Sequence, residues 1–114
     1  MATVGFTREI VSGGKGHLYS WTLGVSDDGV PIEVVNFADR SVQVEGSFGG
    51  ASVSIEGSND GVNYRTLTDP QGNDLLITTP KVEMVTEVTR FLRPRVVSGA
   101  ATSVTVSLLA RYTA

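Results

Sequence analysis

The sequence contains no cysteine and only one histidine, His17. Without cysteine the chain can form neither a disulfide nor a thiolate metal site, and it is compatible with the reducing interior of a cell. One histidine leaves no Cys-His couple, no zinc site of the usual type and only one way to build a Ser-His-Asp triad. His17 follows a glycine-rich loop, where we expect an ordinary surface or turn residue. The sequence therefore predicts neither an enzyme nor a cofactor.

The chain also lacks an excess of positive charge and any long apolar run. Nine Lys and Arg against twelve Asp and Glu give a formal net charge of −3. We therefore expect no nucleic-acid partner, because such binding depends on neutralising phosphates. No segment approaches the roughly 18 to 20 apolar residues of a membrane helix, and no signal peptide is evident. We therefore expect no membrane partner.

β-Branched residues and glycine are abundant. Val, Thr and Ile account for 33 of the 114 residues, and there are 13 glycines. The stiff β-branched side chains favour pleated strands, and glycines in turn-like contexts favour short connections. No helix is long enough for a parallel crossover, so about eight or nine strands predict an all-β fold. We expect one domain over residues 1–114, a two-sheet antiparallel β-sandwich whose topology is either jelly-roll or immunoglobulin-like.

The alternation of apolar and polar residues places the individual strands. We expect 41–48 and 51–57 to pair as a hairpin, because Gly49-Gly50 between them is a favoured two-residue turn. Pro94 cannot donate a ladder hydrogen bond, so it should lie at a sheet edge or a bulge. The predicted strands cover residues 3–11, 17–25, 31–35, 41–48, 51–57, 62–67, 81–88, 91–97 and 102–112, and residues 75–77 form a short apolar run that Pro80 ends.

Two turns carry adjacent oxygen-bearing side chains, Asp27-Asp28 and Asn59-Asp60. Calcium is bound by several carboxylates and carbonyls on a tight loop, so both turns are candidate sites. Asx-Gly turns produce the same spacing for purely structural reasons. We favour the structural interpretation, and the sequence predicts no metal site.

Three aromatic residues, Tyr19, Trp21 and Tyr64, are candidates for a carbohydrate-binding platform. A sugar ring stacks on exposed aromatic faces, as in a lectin-like sandwich. If Trp21 faces inward, it belongs to the core instead. We favour the core interpretation.

Three arginines, Arg90, Arg93 and Arg95, lie within six residues. Strand alternation puts Arg93 and Arg95 on one face, where two like charges need solvent or an acidic partner. They are a solvated face, or they pair internally with Glu83 and Glu87, or they form a docking patch for an acidic surface. The sequence alone favours none of these.

Several motifs together resemble a family of small tailed-phage and prophage structural proteins, some of which are head decoration (cement) proteins. The resemblance covers most of the chain. It rests on the run VQVEGSFGGASVSIEGSNDGVNY at 42–64, Leu67, DPQG at 69–72, LRP at 92–94, SVTV at 103–106, YSWTL at 19–23 and DDG at 27–29.

The resemblance implies a jelly-roll-like sandwich without an active site. Such a protein is made in the host bacterial cytoplasm, forms a homodimer or homotrimer, and sits on the outer surface of the virion head. There it bridges neighbouring copies of the major capsid protein. The alternatives are a tail or baseplate component and a carbohydrate-binding module.

The N-terminal arm is a second candidate contact. An exposed N-terminal segment can add as a strand to the open sheet edge of a neighbouring subunit. The residues concerned are Ala2, Thr3, Val4 and Phe6.

Overall fold

The structure is a computed structural model that describes residues 2–111. Met1 and residues 112–114, including the end of the predicted last strand, lie outside the described residues. In this part of the chain, no helix is long and apolar enough to cross a membrane. The strands are β1 (Thr3–Val4), β2 (Thr7–Val11), β3 (Gly16–Leu23), β4 (Asp28–Gly29), β5 (Ile32–Glu33), β6 (Asp39–Ser47), β7 (Ser52–Ser58), β8 (Arg65–Thr66), β9 (Leu76–Ile77), β10 (Lys81–Met84), β11 (Phe91–Val97) and β12 (Ser103–Arg111).

These strands form two sheets, as predicted. The seven-stranded sheet has the order β1-β4-β11-β7-β8, with β5 also pairing β11 and β9 also pairing β7. The five-stranded sheet has the order β10-β6-β12-β3-β2. The pairings within residues 2–111 are antiparallel, except that β1 runs parallel to β4. The all-β, two-sheet prediction is confirmed, although many of the twelve strands are only two residues long.

The core lies between the sheets, where alternation points the apolar side chains. In β12, every second residue from Val104 to Ala110 is at most 1% exposed. The inward side chains of the five-stranded sheet include Tyr19, Trp21, Leu23, Val42 and Val44, and those of the facing sheet include Val53, Ile55, Leu92 and Val96.

The predicted hairpin between residues 41–48 and 51–57 is wrong. Strand β6 pairs with β10 and β12 in one sheet, whereas β7 pairs with β11, β8 and β9 in the other. Alternation shows which side chains face the core, but it does not show which strand lies alongside. Gly49, at φ 60°, receives a hydrogen bond on its carbonyl from Ala100 N (2.9 Å), which ties the turn to another loop. The turn therefore carries the chain from one sheet to the other.

The predicted strand over residues 3–11 is divided between the two sheets. Strand β1 joins β4, and β2 joins β3. Between them Phe6 packs edge-on against Tyr19 and Trp21, with ring centroids 5.5 and 6.0 Å apart. The N-terminal segment therefore closes one side of the sandwich.

Pro94 does not lie at a sheet edge, since β11 lies between β7 and the pair β4 and β5. The alternative of a bulge is confirmed, because the register shifts by one residue between the pairs Arg95–Asp28 and Leu92–Ile32. Val96 N donates to Asp27 O (2.8 Å) on the β4 side. Because N–H groups alternate sides along a strand, the ring nitrogen of Pro94 faces that side too. There it meets the interruption between β4 and β5, so no ladder hydrogen bond is lost.

Arg40 is a buried charge that the sequence reasoning did not single out. It is 2% exposed, and its guanidinium donates to the carbonyl oxygens of Val34 (2.7 Å), Phe37 (2.9 Å) and Thr89 (2.8 Å). Burial lowers the pKa of Arg40. The side chain holds two loops together at one end of the sandwich.

Candidate interaction surface

The outer face of the seven-stranded sheet brings together the N-terminal arm and the arginine patch. The register places five outward-facing residues in one row across five strands. Two separately predicted contact elements therefore share one surface. The row is Thr3, Asp28, Arg95, Ser54 and Leu76.

A buried carboxylate, Glu56, organises this face. Its side chain is 6% exposed and lies between two arginines, with Oε1 3.0 Å from Arg93 Nε and Oε2 3.0 Å from Arg95 Nε. Ser54 Oγ also donates to Oε2 (3.4 Å). The prediction that Arg93 and Arg95 share a face is confirmed. A charge buried with hydrogen-bonding partners of opposite sign costs far less than an unpaired one.

The prediction that the arginines pair internally with Glu83 and Glu87 is wrong. Glu87 instead accepts hydrogen bonds from Thr68 N (2.8 Å) and Thr68 Oγ1 (2.5 Å). Burial acts to raise the pKa of Glu87, but the hydrogen bonds from Thr68 outweigh it and leave the pKa lowered. The true partner, Glu56, is 37 residues from Arg93 in sequence, and only the pairing of β7 with β11 reveals it.

Arg93 is enclosed by its neighbours. It is held by Glu56, its Nη1 lies 3.6 Å from Asp28 Oδ2, and its guanidinium carbon lies 4.0 Å from the centre of the Tyr64 ring. Burial is the largest cause of the raised pKa of Tyr64. An arginine paired and stacked in this way has little capacity left for another partner.

Arg95 is presented to solvent. Its side chain is 47% exposed and anchored through Nε, and no hydrogen bond joins its terminal nitrogens to another residue within 2–111. A guanidinium held at one edge keeps two donor groups in a fixed plane, which suits a carboxylate. Arg95 is therefore the residue of this face best placed to bind an acidic group.

Arg90 stands apart from the Glu56 cluster. Its Nε lies 2.6 Å from Glu33 Oε2, and both side chains are at least half exposed. Its guanidinium carbon also lies 4.9 Å from the centre of the Phe91 ring. Of the three predicted arginines, the structure therefore brings together only two.

The N-terminal arm is docked on its own chain. Asp28 N donates to Ala2 O (2.9 Å) and Val30 N to Val4 O (2.8 Å). The N–H and C=O of one residue point to the same side of a strand, so those of Thr3 point to the opposite edge of β1. That edge has no partner strand in residues 2–111. The arm can still add a strand there, but with one edge already occupied.

The aromatic platform does not form. Trp21 is 1% exposed and donates Nε1 to Val30 O (3.1 Å), which confirms the core interpretation. Tyr19 is buried as well, and one face of the Tyr64 ring is covered by Arg93. The residues on which a sugar would stack are therefore occupied within the fold.

The two acidic turns are held by their own hydrogen bonds. Asp60 Oδ1 accepts from Val62 N and Asn63 N, both at 2.8 Å, and these bonds hold the pKa of Asp60 well below its ordinary range. Asp27 accepts from Ala2 N and Gly24 N. Across the described residues, no group of three or more His, Asp or Glu side chains is arranged to hold a metal ion.

His17 differs from the expected surface or turn residue. It lies in β3 and is only partly exposed. Its Nδ1 is 3.1 Å from Tyr19 Oη, and its ring centre is 5.1 Å from that of Phe37. It shares the inward parity of Tyr19 and Trp21, a signal already present in the sequence.

A scan of protein-family models gives no match for this chain, and a search of curated proteins gives none either.

Solved structures show the same fold. One is the SPBc2 prophage-derived protein YomS, which superposes with a TM-score of 0.63 at 15% identity, covering 83% of this chain and 93% of that one. Another is a recombinant oxalate oxidase in complex with glycolate, with a TM-score of 0.53 at 11% identity, covering 93% of this chain and 50% of the oxidase. At these identities the likeness concerns the fold alone. The two-sheet, jelly-roll-like sandwich is thereby confirmed.

Proposed function

We propose that this chain is a non-enzymatic structural protein of a tailed-phage virion. It binds the outer surface of the head as a decoration protein and stabilises the expanded capsid by bridging major capsid subunits. It is made in the host bacterial cytoplasm and has neither nucleic acid nor membrane as a partner. The resemblance of its motifs to phage structural proteins supports this role. The prophage origin of YomS, a protein of the same fold, is consistent with it.

The observation that carries the contact surface is the presentation of Arg95 by Glu56. The carboxylate fixes Arg95 Nε at 3.0 Å and leaves the terminal donors directed at solvent. Less side-chain entropy is lost on binding when the arginine is already ordered. Its partner is an acidic group on the major capsid protein.

The other two arginines are less available to the capsid than Arg95, because a new partner would have to displace the one that each of them already has. Arg93 is already in contact with Glu56, Asp28 and Tyr64, so it positions the face rather than binding the capsid. Arg90 can bind only in competition with Glu33. One contact per copy is weak, but many identical copies on one shell add their contributions across its seams.

The open edge of β1 provides a second contact. Thr3→Pro removes an N–H that faces this edge and leaves the backbone bonds from β4 to Ala2 and Val4 in place. We expect this variant to fold and to bind shells more weakly, while Thr3→Val, which loses the hydroxyl bond to Asp28 as proline does but keeps the N–H, binds as the wild type does. Equal binding of both variants, measured by co-sedimentation, would remove the arm from the contact.

A tail or baseplate position is the alternative within virions, because the face that carries Arg95 would bind an acidic group there in the same way. The carbohydrate-binding alternative has lost its main support, since Trp21 and Tyr19 are buried.

The test is co-sedimentation of the purified protein with empty, expanded heads assembled from the major capsid protein of the same genome. Saturable binding at a fixed ratio per shell is the expected result. If the protein binds tails and does not bind heads, it is a tail component. Binding to neither would overturn the virion role.

A further inference from the structure

The outer face of the five-stranded sheet carries two parallel rows with different side-chain sizes. The register aligns these rows across β10, β6, β12 and β3. One row is rich in large apolar residues, and the next is mostly small and polar apart from one valine. The first row is Met84, Ser41, Leu109 and Leu18, and the second is Val82, Gln43, Ser107 and Ser20.

Apolar residues of both rows are strongly exposed, with Met84 at 49% and Leu109 at 41% in the first row and Val82 at 57% in the second. Beside Leu109 the surface is hollow. One depression of about 220 Å³ is lined by Ser107 and Gln43 among others, and an adjoining one of about 330 Å³ reaches Met84. The face therefore combines apolar projections with hollows of side-chain size.

We propose that this face binds a second copy of the same chain in a two-fold symmetric dimer, with the two five-stranded sheets packed face to face. A two-fold interface uses one patch twice, so the patch must be complementary to itself.

The spacing of the rows meets this requirement. The two-fold axis lies between the sheets, runs perpendicular to the strands and crosses midway between the rows, at the level of Val42 and Leu108. It places each row of large residues over the row of small residues of the other copy. Leu109 then enters the hollow beside Ser107 of the second copy. Met84 lies over Val82 of the second copy, and large residues against small ones interdigitate in both directions.

Charges at the two ends of the face agree with the same axis. Arg111 is paired with Asp39 at one end, and its side chain is 66% exposed. Glu45 lies beside Thr105 at the other end. The axis brings the Arg111 end of one copy over the Glu45 end of the other, where Arg111 lies between Asp39 of its own copy and Glu45 of the second copy. Opposite charges thus meet at both ends of the dimer.

The area of the face suits a dimer. Strands of nine residues are about 30 Å long, and five strands span about 20 Å. The plan area is roughly 600 Å², and side-chain relief increases the accessible area toward the roughly 800 Å² per partner of a standard interface. The Arg95 face on the opposite side remains free in this arrangement.

This inference goes beyond the capsid role and does not depend on it. The experiment is analytical ultracentrifugation of the purified chain from about 1 µM to 1 mM, the range of moderate affinities. We expect a reversible dimer. Leu109→Arg should raise the dissociation constant at least about tenfold, because it puts a charge into the hollow. Ser107→Arg, which fills the same hollow from the other side, should do the same.

The matched control is Leu76→Arg, the same substitution at a similarly exposed position (47%) on the opposite face. It should dimerise as the wild type does. A wild type that stays monomeric, a trimer, or equal effects of Leu109→Arg and Leu76→Arg would each overturn the proposal. A dimer that fails to bind shells would count against the capsid role alone, and a monomer that binds shells would count against the dimer alone.

Discussion

The outer faces of the two sheets are built on different principles. On the seven-stranded sheet, Ser54, Glu56 and Ser58 of β7 are at most 5% exposed although they point outward, and Glu56 is held between Arg93 and Arg95. On the five-stranded sheet, charged outward residues lie only near the two ends of β6 and β12, and the outward residues between them are uncharged and partly or fully exposed. The first face satisfies its charges internally, whereas the second leaves its apolar groups uncovered.

This difference suits the two faces to different roles. A network such as Arg93-Glu56-Arg95 uses most of its bonding capacity to fix its own geometry, and only Arg95 extends beyond it. An apolar face without internal partners has a larger free energy to gain by being covered. We therefore expect the charged face to provide specificity and the apolar face to provide self-association.

The largest expected effect comes from removing the centre of the charged network. Glu56→Ala leaves two adjacent arginines without their shared counter-charge, and we expect a loss of about 2–3 kcal/mol in the free energy of unfolding. Gln43→Ala, an outward residue on the other sheet, should change it by less than about 0.5 kcal/mol. Urea denaturation measures the free energy of unfolding of both variants, and equal losses would contradict the proposed difference between the two faces.

A smaller effect is expected in acid, at the loop that carries Tyr64 to Arg93. The pKa of Asp60 is lowered from its ordinary 3.8 by hydrogen bonds from Asn63 and Val62. A lowered folded pKa means that the contribution to stability is present above pH 3.8 and is lost as the pH falls toward the folded value. In Asp60→Asn this part of the acid dependence should disappear. Urea denaturation of the wild type and of Asp60→Asn across the acid range measures this dependence, and the same loss of stability in both proteins would contradict it.

The smallest effect is expected at Arg90 and Glu33. Both side chains are at least half exposed, so solvent screens the pair and Arg90→Ala should cost less than about 0.5 kcal/mol. The loss should shrink further in high salt. Thermal unfolding at two salt concentrations checks this, and a loss comparable with that of Glu56→Ala would mean that Arg90 belongs to the network after all.

Alternation predicted the inward faces of the strands well. It put Arg93 and Arg95 on one face, and the apolar residues that alternate along β12, such as Val104 and Val106, lie in the core. The same pattern puts Arg40 on the inward side with Val42 and Val44, a signal that the sequence reasoning did not use. Period-two patterns depend only on which side a residue faces, which explains these successes.

Neighbours across strands could not be predicted. Strand β6 pairs with β10 and with β12, which is more than fifty residues away, and not with the adjacent β7. For the same reason Glu56 could not be identified as the partner of the arginines, because its local sequence looks like that of any solvent-exposed acid. Pairing depends on the whole topology, and a turn such as Gly49-Gly50 fits a connection within one sheet or between two.

The central claim is that Arg95 on the charged face docks the protein on the capsid. The most direct measurement compares Arg95→Gln with Arg8→Gln, which removes the same charge from an exposed position in β2, by co-sedimentation with expanded heads, after denaturation curves have shown that both variants fold. We predict about tenfold weaker binding for Arg95→Gln, as expected for the loss of one charge-assisted contact, and unchanged binding for Arg8→Gln. Equal binding of the two variants would contradict the assignment of this face.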